Sequence, residues 1–146
     1  MTCAIICDID GTLANNDHRK HYLEHAGKKD WDRFFSEQHL DPVNKEVAWL
    51  FNEIQANCAG IIVTGRGEEF RDTTVRWLRN NGISYVELHM RRAGDRRDDT
   101  IVKKEILDSL REAGYVPKLA LDDRNRTVAM WRAEGVPCWQ VADGNF

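Results

Sequence analysis

The sequence predicts an α/β fold: a doubly wound, mostly parallel five-stranded sheet with a small helical insert after the first strand. Three observations predict it. Short apolar runs alternate with segments of helical periodicity along the 146 residues, the pattern of strands joined by helical crossovers. Three of those runs end directly in Asp8, Thr64 and Asp122, where a strand gives way to a loop. One polar, aromatic segment, 15–40, breaks the alternation. The length suits one domain with one core, so 1–146 is read as a single domain.

The elements follow in order. Residues 2–7 are an apolar run, hence the first strand. The insert carries Tyr22, Trp31, Phe34 and Phe35 and reads as one or two short helices above the C-terminal edge of the sheet, where it could roof a site. Asp41-Pro42 reads as an N-cap with proline at the first helical position, opening a helix to about residue 56. Residues 59–63 are apolar and β-branched, a strand. Residues 68–80 place Phe70, Val75 and Leu78 at helical spacing and stop at Asn81-Gly82, a left-handed C-cap signal. Residues 84–89 read as strand. Asp98 or Asp99 can cap a helix to 112, ended by Gly114. Strand 118–121, helix 124–134, ended by Gly135, and strand 138–141 complete the alternation.

Composition sets limits on function. Net charge is −3, so bulk charge does not advertise nucleic-acid binding. The distribution is less even: residues 66–104 hold ten Lys/Arg against seven Asp/Glu, including Arg91, Arg92, Arg96 and Arg97. Such a run is usually a solvated face, but a locally basic loop on a near-neutral protein can grip a phosphate backbone. No apolar run approaches transmembrane length, and the N-terminus has no basic segment before its apolar run, so a cytoplasmic protein without a membrane partner is expected. Cys3, Cys7, Cys58 and Cys138 form no C-x-x-C pair and read as buried free thiols. His18, His21 and His25 lie at helical spacing, but no fourth zinc ligand accompanies them, which favours a solvated helix face. Trp49, Trp77, Trp131 and Trp139 read as core; Trp31 lies in the roof.

Four features converge on one sheet edge. Asp8-Ile9-Asp10-Gly11-Thr12 follows the first strand. Strand alternation sends Asp8 and Asp10 the same way, and Gly11 lets the backbone turn. Two such carboxylates can hold a divalent cation and divide the roles of nucleophile and acid/base. Thr64-Gly65-Arg66 follows the next strand, and its hydroxyl and backbone N–H groups can bind phosphate oxygens. Asp99 and Lys103 stand at i,i+4 on a helix, so Asp99 can hold Lys103 while Lys103 reaches a phosphate. Asp122-Asp123-Arg124 supplies further carboxylates for a metal. Each feature alone is weak, since any strand-terminal Asp can be a helix cap. Their order, each at a strand end, carries the weight, because doubly wound sheets bind ligands outside the strand C-termini.

This order resembles the haloacid dehalogenase superfamily of aspartate-nucleophile phosphatases, whose signature is DxDGT, a Ser/Thr, a Lys and paired acids. The stretches Gly94-Asp95 with Asp99 and Lys103, Lys118-Leu119-Ala120-Leu121-Asp122-Asp123-Arg124, Met130-Trp131-Arg132 and Cys138-Trp139-Gln140-Val141-Ala142 further resemble the 3′-phosphatase domain of bacteriophage-type polynucleotide kinase/phosphatase. The likeness covers nearly the whole chain and is densest over 90–146. It implies a haloacid dehalogenase-like Rossmannoid fold and Mg²⁺ held by Asp8, the backbone carbonyl of Asp10, and Asp122, with Asp123 assisting from outside. It implies Asp8 as nucleophile, forming an aspartyl-phosphate, and Asp10 as acid to the leaving 3′-oxygen and then base to water. Thr64, Arg66 and Lys103 would stabilise the transferring group. Arg19 also falls at a functional arginine of that family, as a substrate contact beside the basic loop. The family's kinase carries a P-loop, and no G-x-x-x-x-G-K-[ST] occurs here, so the phosphatase half alone is expected, with nucleic-acid 3′ ends and a separate kinase or ligase as partners. Competing readings are a small-molecule phosphatase for nucleotides or sugar phosphates, and a non-catalytic nucleic-acid-end binding module. The intact set Asp8, Asp10, Lys103 and Asp122 argues against the last, since binding an anion needs no carboxylates facing it.

Overall fold

The computed structural model describes residues 1–24 and 28–146; His25 lies outside them. Its sheet is entirely parallel, in the order β3-β2-β1-β4-β5, formed by β1 (Thr2–Cys7), β2 (Ala59–Gly67), β3 (Glu87–Arg91), β4 (Tyr115–Asp122) and β5 (Cys138–Gln140). The chain builds outward from β1 to β3 and then returns to lay β4 on the other flank of β1. That reversal opens a crevice between the C-terminal ends of β1 and β4, the position where parallel α/β sheets bind ligands.

Alternation along the central strands sorts the core into two layers. Ile5, Cys7, Ile62 and Leu121 face α3 (Lys45–Ile54) and α4 (Arg71–Asn80), which bury Phe51 and Trp77 against them. Ala4, Ile6, Val63 and Ala120 face α5 (Asp99–Glu112) and α6 (Asn125–Ala133), which bury Leu107, Leu110 and Trp131. The insert forms α1 (Asp17–Glu24), α2 (Trp31–Ser36) and a 3₁₀ turn, Gln38–Leu40. No helix among the described residues is long and apolar enough to cross a membrane.

Several expectations from the sequence are corrected. The third helix begins at Lys45, not at Pro42: Asn44 precedes it, and Asp41 is a buried carboxylate rather than a cap. The strand expected at 84–89 starts at Glu87, because the backbone of Ser84 is taken by side chains, Asn52 Oδ1 accepting from its N–H at 2.9 Å and Gln55 donating to its carbonyl at 2.7 Å. The helix expected from residue 68 opens as a 3₁₀ turn, Glu68–Phe70, before α4. Cys3 and Cys58 are joined in a disulfide, so only Cys7 and Cys138 are buried free thiols. Trp77 and Trp131 are core, but Trp49 and Trp139 are 64% and 56% exposed, on the outer face of α3 and on the edge strand.

Helix α5 carries Lys103, and its start is fixed by Asp98, whose Oδ1 accepts from the Thr100 N–H at 3.0 Å and from the Thr100 hydroxyl at 2.7 Å. Asp98 Oδ2 also takes Arg126 of α6 at 2.6 Å. The Thr100 hydrogen bonds pull the Asp98 carboxyl down to about 2. Asp98→Ala is expected to cost about 1 kcal/mol in urea denaturation, the usual value of a lost cap. Because the folded carboxyl is depressed, the deficit is complete above about pH 4, the unfolded Asp value, and closes as pH falls towards 2.

Candidate active site

Cys7 stands in register with Leu121, so the next residues out of β1 and β4, Asp8 and Asp122, emerge side by side at the crevice. The strand parity that sends Ile6 and Ala120 towards α5 sends both carboxylates there too, where Lys103 rises from the first turns of that helix. Lys103 Nζ lies 2.9 Å from Asp8 Oδ1, 3.0 Å from Asp122 Oδ2 and 3.4 Å from Asp99 Oδ2. The i,i+4 pairing of Asp99 with Lys103 is thus present. Thr12 donates to Asp8 Oδ2 at 3.1 Å, and the Trp131 indole N–H donates to Asp122 Oδ2 at 3.1 Å. Gly11 is required here twice over. Its φ is +81°, and a Cβ on it would lie 2.0 Å from an Asp123 carboxylate oxygen.

Oxygens of Asp8, Asp122 and Asp123 lie within 4.8 Å of one another, and all three residues are buried. Lys103 is the one cation bonded to this trio among the described residues, leaving excess negative charge out of water. The carboxyls respond accordingly: burial, then the Asp122 charge, raises Asp8 well above the usual range and pushes Asp123 up to about 6. An all-oxygen, over-anionic pocket of this kind fits a hard divalent cation. The Asp10 carbonyl, which accepts no hydrogen bond among the described residues, is available as a further oxygen. The three carboxylates form a candidate metal site. The Asp10 side chain stands outside it.

Asp10 belongs to a second charge cluster. Arg66 donates to it from Nε at 3.0 Å and Nη2 at 2.8 Å, and Arg19 Nη2 lies 2.5 Å away. Both guanidiniums are buried and are fixed by Asp41, which takes Arg19 Nε at 2.8 Å and Nη2 at 2.6 Å and stands 3.7 Å from Arg66. Asp41 is itself held by the Trp77 indole, which donates to its carbonyl at 2.8 Å. Burial opposes ionisation of Asp10, but the charge and hydrogen bonds of Arg66, then those of Arg19, outweigh it and hold the carboxyl far below the usual range. Arg19 was expected to touch substrate. It does not line the cleft; it holds Asp10 and packs on the Phe34 ring at 4.3 Å. Asp41 was missed, because Asp before Pro has the signature of an N-cap.

Thr64 is fully buried, and its Oγ1 accepts from the Arg66 N–H at 3.1 Å. The cleft wall at that point is Gly65 and Arg66, and a Cβ on Gly65 would sit 2.3 Å from Asp99 Oδ1. The basic loop divides. Arg91 is an internal brace, donating to the carbonyls of Gly65 at 2.9 Å and Arg97 at 2.6 Å. Arg97 is paired with Asp95 at 2.8 Å and Glu105 at 2.5 Å. Arg92 and Arg96 are exposed, line the cleft, and have no ion pair among the described residues.

A parallel sheet in this order with an acid-rich switch point, Asp8 and Asp10 after the central strand and a helix-borne lysine between carboxylates defines a phosphohydrolase of the haloacid dehalogenase class. The family model of the polynucleotide kinase PNKP phosphatase domain matches residues 2–146, and the chain belongs to that family. It is therefore a phosphoric monoester hydrolase. Among solved structures, a chain of the Pnkp1/Rnl/Hen1 complex is 35% identical, with a TM-score of 0.86; the match covers 100% of this chain and 48% of that one. A chain of the Pnkp1/Rnl/Hen1 RNA repair complex is 34% identical at the same TM-score, over 100% of this chain and 44% of that one. This chain thus spans about half the length of these relatives or less. More distant in sequence, at 12% identity and TM-score 0.58, a haloacid dehalogenase family enzyme of Bacteroides thetaiotaomicron, solved with magnesium and inorganic phosphate, shares the fold over 100% of this chain and 97% of that one.

Proposed function

We propose that this chain is a Mg²⁺-dependent polynucleotide 3′-phosphatase that removes 3′-terminal phosphate through an aspartyl-phosphate on Asp8. The observation that carries the reading is the setting of the carboxylate centre. It opens into a cleft of about 850 Å³ lined in part by the 91–97 loop, far more room than a phosphate group needs. Membership of the polynucleotide kinase phosphatase family supports the same substrate class, and the RNA repair assembly of a relative makes RNA 3′ ends the first to test. A separate kinase or ligase acting on the same ends is the partner this reading implies.

Asp8, Asp122 and Asp123, with the Asp10 carbonyl, are the groups to hold Mg²⁺. When bound, the ion neutralises phosphate charge so that a carboxylate can approach. Lys103, already beside Asp8, takes a phosphate oxygen, and Arg66 and the Gly65 backbone steady the others. Asp8 attacks phosphorus as the bond to the 3′-oxygen breaks, and that oxygen takes a proton from Asp10. Water then attacks the aspartyl-phosphate, returning its proton to Asp10 and releasing Asp8. Since the two arginines hold Asp10 as a carboxylate in the substrate-free protein, Asp10 must take up a proton from solvent as the substrate binds, when the phosphate dianion competes for Arg66 and weakens its hold on Asp10.

Turnover of a 3′-phosphorylated oligonucleotide, a free nucleotide and a generic phosphate ester, each with Mg²⁺ and with chelator, tests the reading. Preference for the oligonucleotide, lost on chelation, supports it. Preference for the nucleotide would make the chain a small-molecule phosphatase, and no turnover of any would make it a binding module. The basic loop gives a sharper expectation. Arg92→Ala/Arg96→Ala should raise KM for the oligonucleotide and reduce the slope of log(kcat/KM) against log salt by about one to two, the contribution of two phosphate contacts. An ester without upstream phosphates should show neither effect. Equal losses on both would assign the arginines to the reacting phosphate or to the fold.

A further inference from the structure

Part of the cleft lining is aromatic. Trp31 and Phe35 of α2 stack at 5.6 Å between ring centroids, with 23° between planes, and Phe35 stacks on Phe70 at 5.3 Å and 29°. The three rings make one column that runs from the roof to the 3₁₀ turn after β2, so its inner end is anchored on the sheet. All three line the cleft, and Trp31 is 46% exposed. Aromatic faces left open to water beside a reaction centre have no use for phosphate; they suit a flat apolar partner.

We infer that this column is a stacking site for the nucleobase of the 3′-terminal nucleotide, an inference that rests on the polynucleotide reading and adds to it a subsite that the phosphate chemistry does not require. The charges beside the column argue for this orientation. Asp32 and Glu69, next in sequence to Trp31 and Phe70, line the cleft with them, where they repel a phosphodiester backbone but accept hydrogen bonds from the amino groups of a neutral base. Arg92 and Arg96 line the cleft from the 91–97 loop, where the backbone is favoured. Lys29 Nζ, 5.7 Å from the Trp31 ring centroid, adds one cation beside the column. A strand end with its terminal phosphate on Asp8 thus meets aromatic faces for its bases and exposed arginines for its phosphates. Stacking of this kind tolerates any base, because every base has a π-face.

The test needs no variant in its first arm. The wild type is assayed on a 3′-phosphorylated oligonucleotide and on the same oligonucleotide whose 3′-terminal nucleotide lacks its base. Removing the base is expected to raise KM about tenfold, the effect of one lost stacking contact, with kcat little changed. In the second arm Trp31→Ala is expected to raise KM on the normal end and to add little on the abasic end, while Trp31→Phe retains most of the wild-type KM; circular dichroism checks that each is folded. Equal KM on the two ends by a wild type that still prefers the oligonucleotide to a generic ester would overturn the stacking site and leave the polynucleotide reading standing. No preference for the oligonucleotide at all would overturn both.

Discussion

Asp8→Asn is expected to abolish turnover while the protein stays folded. The amide matches the carboxylate in shape, yet it has no anionic oxygen with which to form an acyl phosphate. The effect on stability should run opposite to the effect on activity. Asp8 is buried within reach of Asp122 and Asp123, with Lys103 as the one cation bonded to the trio among the described residues. Removing one negative charge relieves repulsion among three carboxylates that the single charge of Lys103 only partly offsets, and Lys103 keeps Asp122 and Asp99. The melting temperature without Mg²⁺ should therefore equal or exceed that of the wild type, while the rise on adding Mg²⁺ shrinks. Steady-state turnover near the wild-type rate, in protein shown by mass spectrometry to be free of deamidation, would falsify the nucleophile assignment. A fall in melting temperature without Mg²⁺ would contradict the charge argument.

Asp10→Asn is expected to lower kcat by about a hundred- to ten-thousand-fold, the range for loss of a general acid–base group, with a smaller change in Mg²⁺ affinity. The division follows from geometry. The Asp10 side chain points to Arg19 and Arg66, and only its carbonyl is offered to the metal. Isothermal titration with Mg²⁺ separates the cases. A folded Asp10→Asn that binds no Mg²⁺ would place the side chain among the metal ligands.

The residues that meet at the reaction centre were legible because each rested on a local rule. Asp8 and Asp122 each close an apolar run, and Asp99 and Lys103 sit at a helical interval. What was hidden depended on contacts between distant segments. Asp41 carries no local mark of a buried ion pair, because its partner Arg19 is 22 residues away in a segment without strong periodicity. Nothing near Cys3 or Cys58 in sequence shows that β1 and β2 will bring them together. The division of labour in the 91–97 loop is equally out of reach: four arginines look alike in composition, and only the fold ties Arg91 to carbonyls and Arg97 to surface carboxylates. Trp49 and Trp139 failed for another reason. Periodicity says which residues share a face, not that every large ring on an element faces inward.

The Cys3–Cys58 bond, at a sequence separation of 55, makes a covalent ring of everything from β1 to the start of β2. Asp8, Asp10, Arg19, Asp41 and the Trp31–Phe35 roof all ride on that ring, whereas Lys103 and Asp122 do not. Closing a loop of that size removes about 4 kcal/mol of freedom from the unfolded chain in the chain-entropy treatment. Asp8, Asp10 and the aromatic roof would then form and melt as one tethered unit, packed against the strands and helices that bring Lys103 and Asp122. In a reducing compartment the tether opens, and the two halves of the reaction centre are joined by the continuity of the chain and the packing of the sheet.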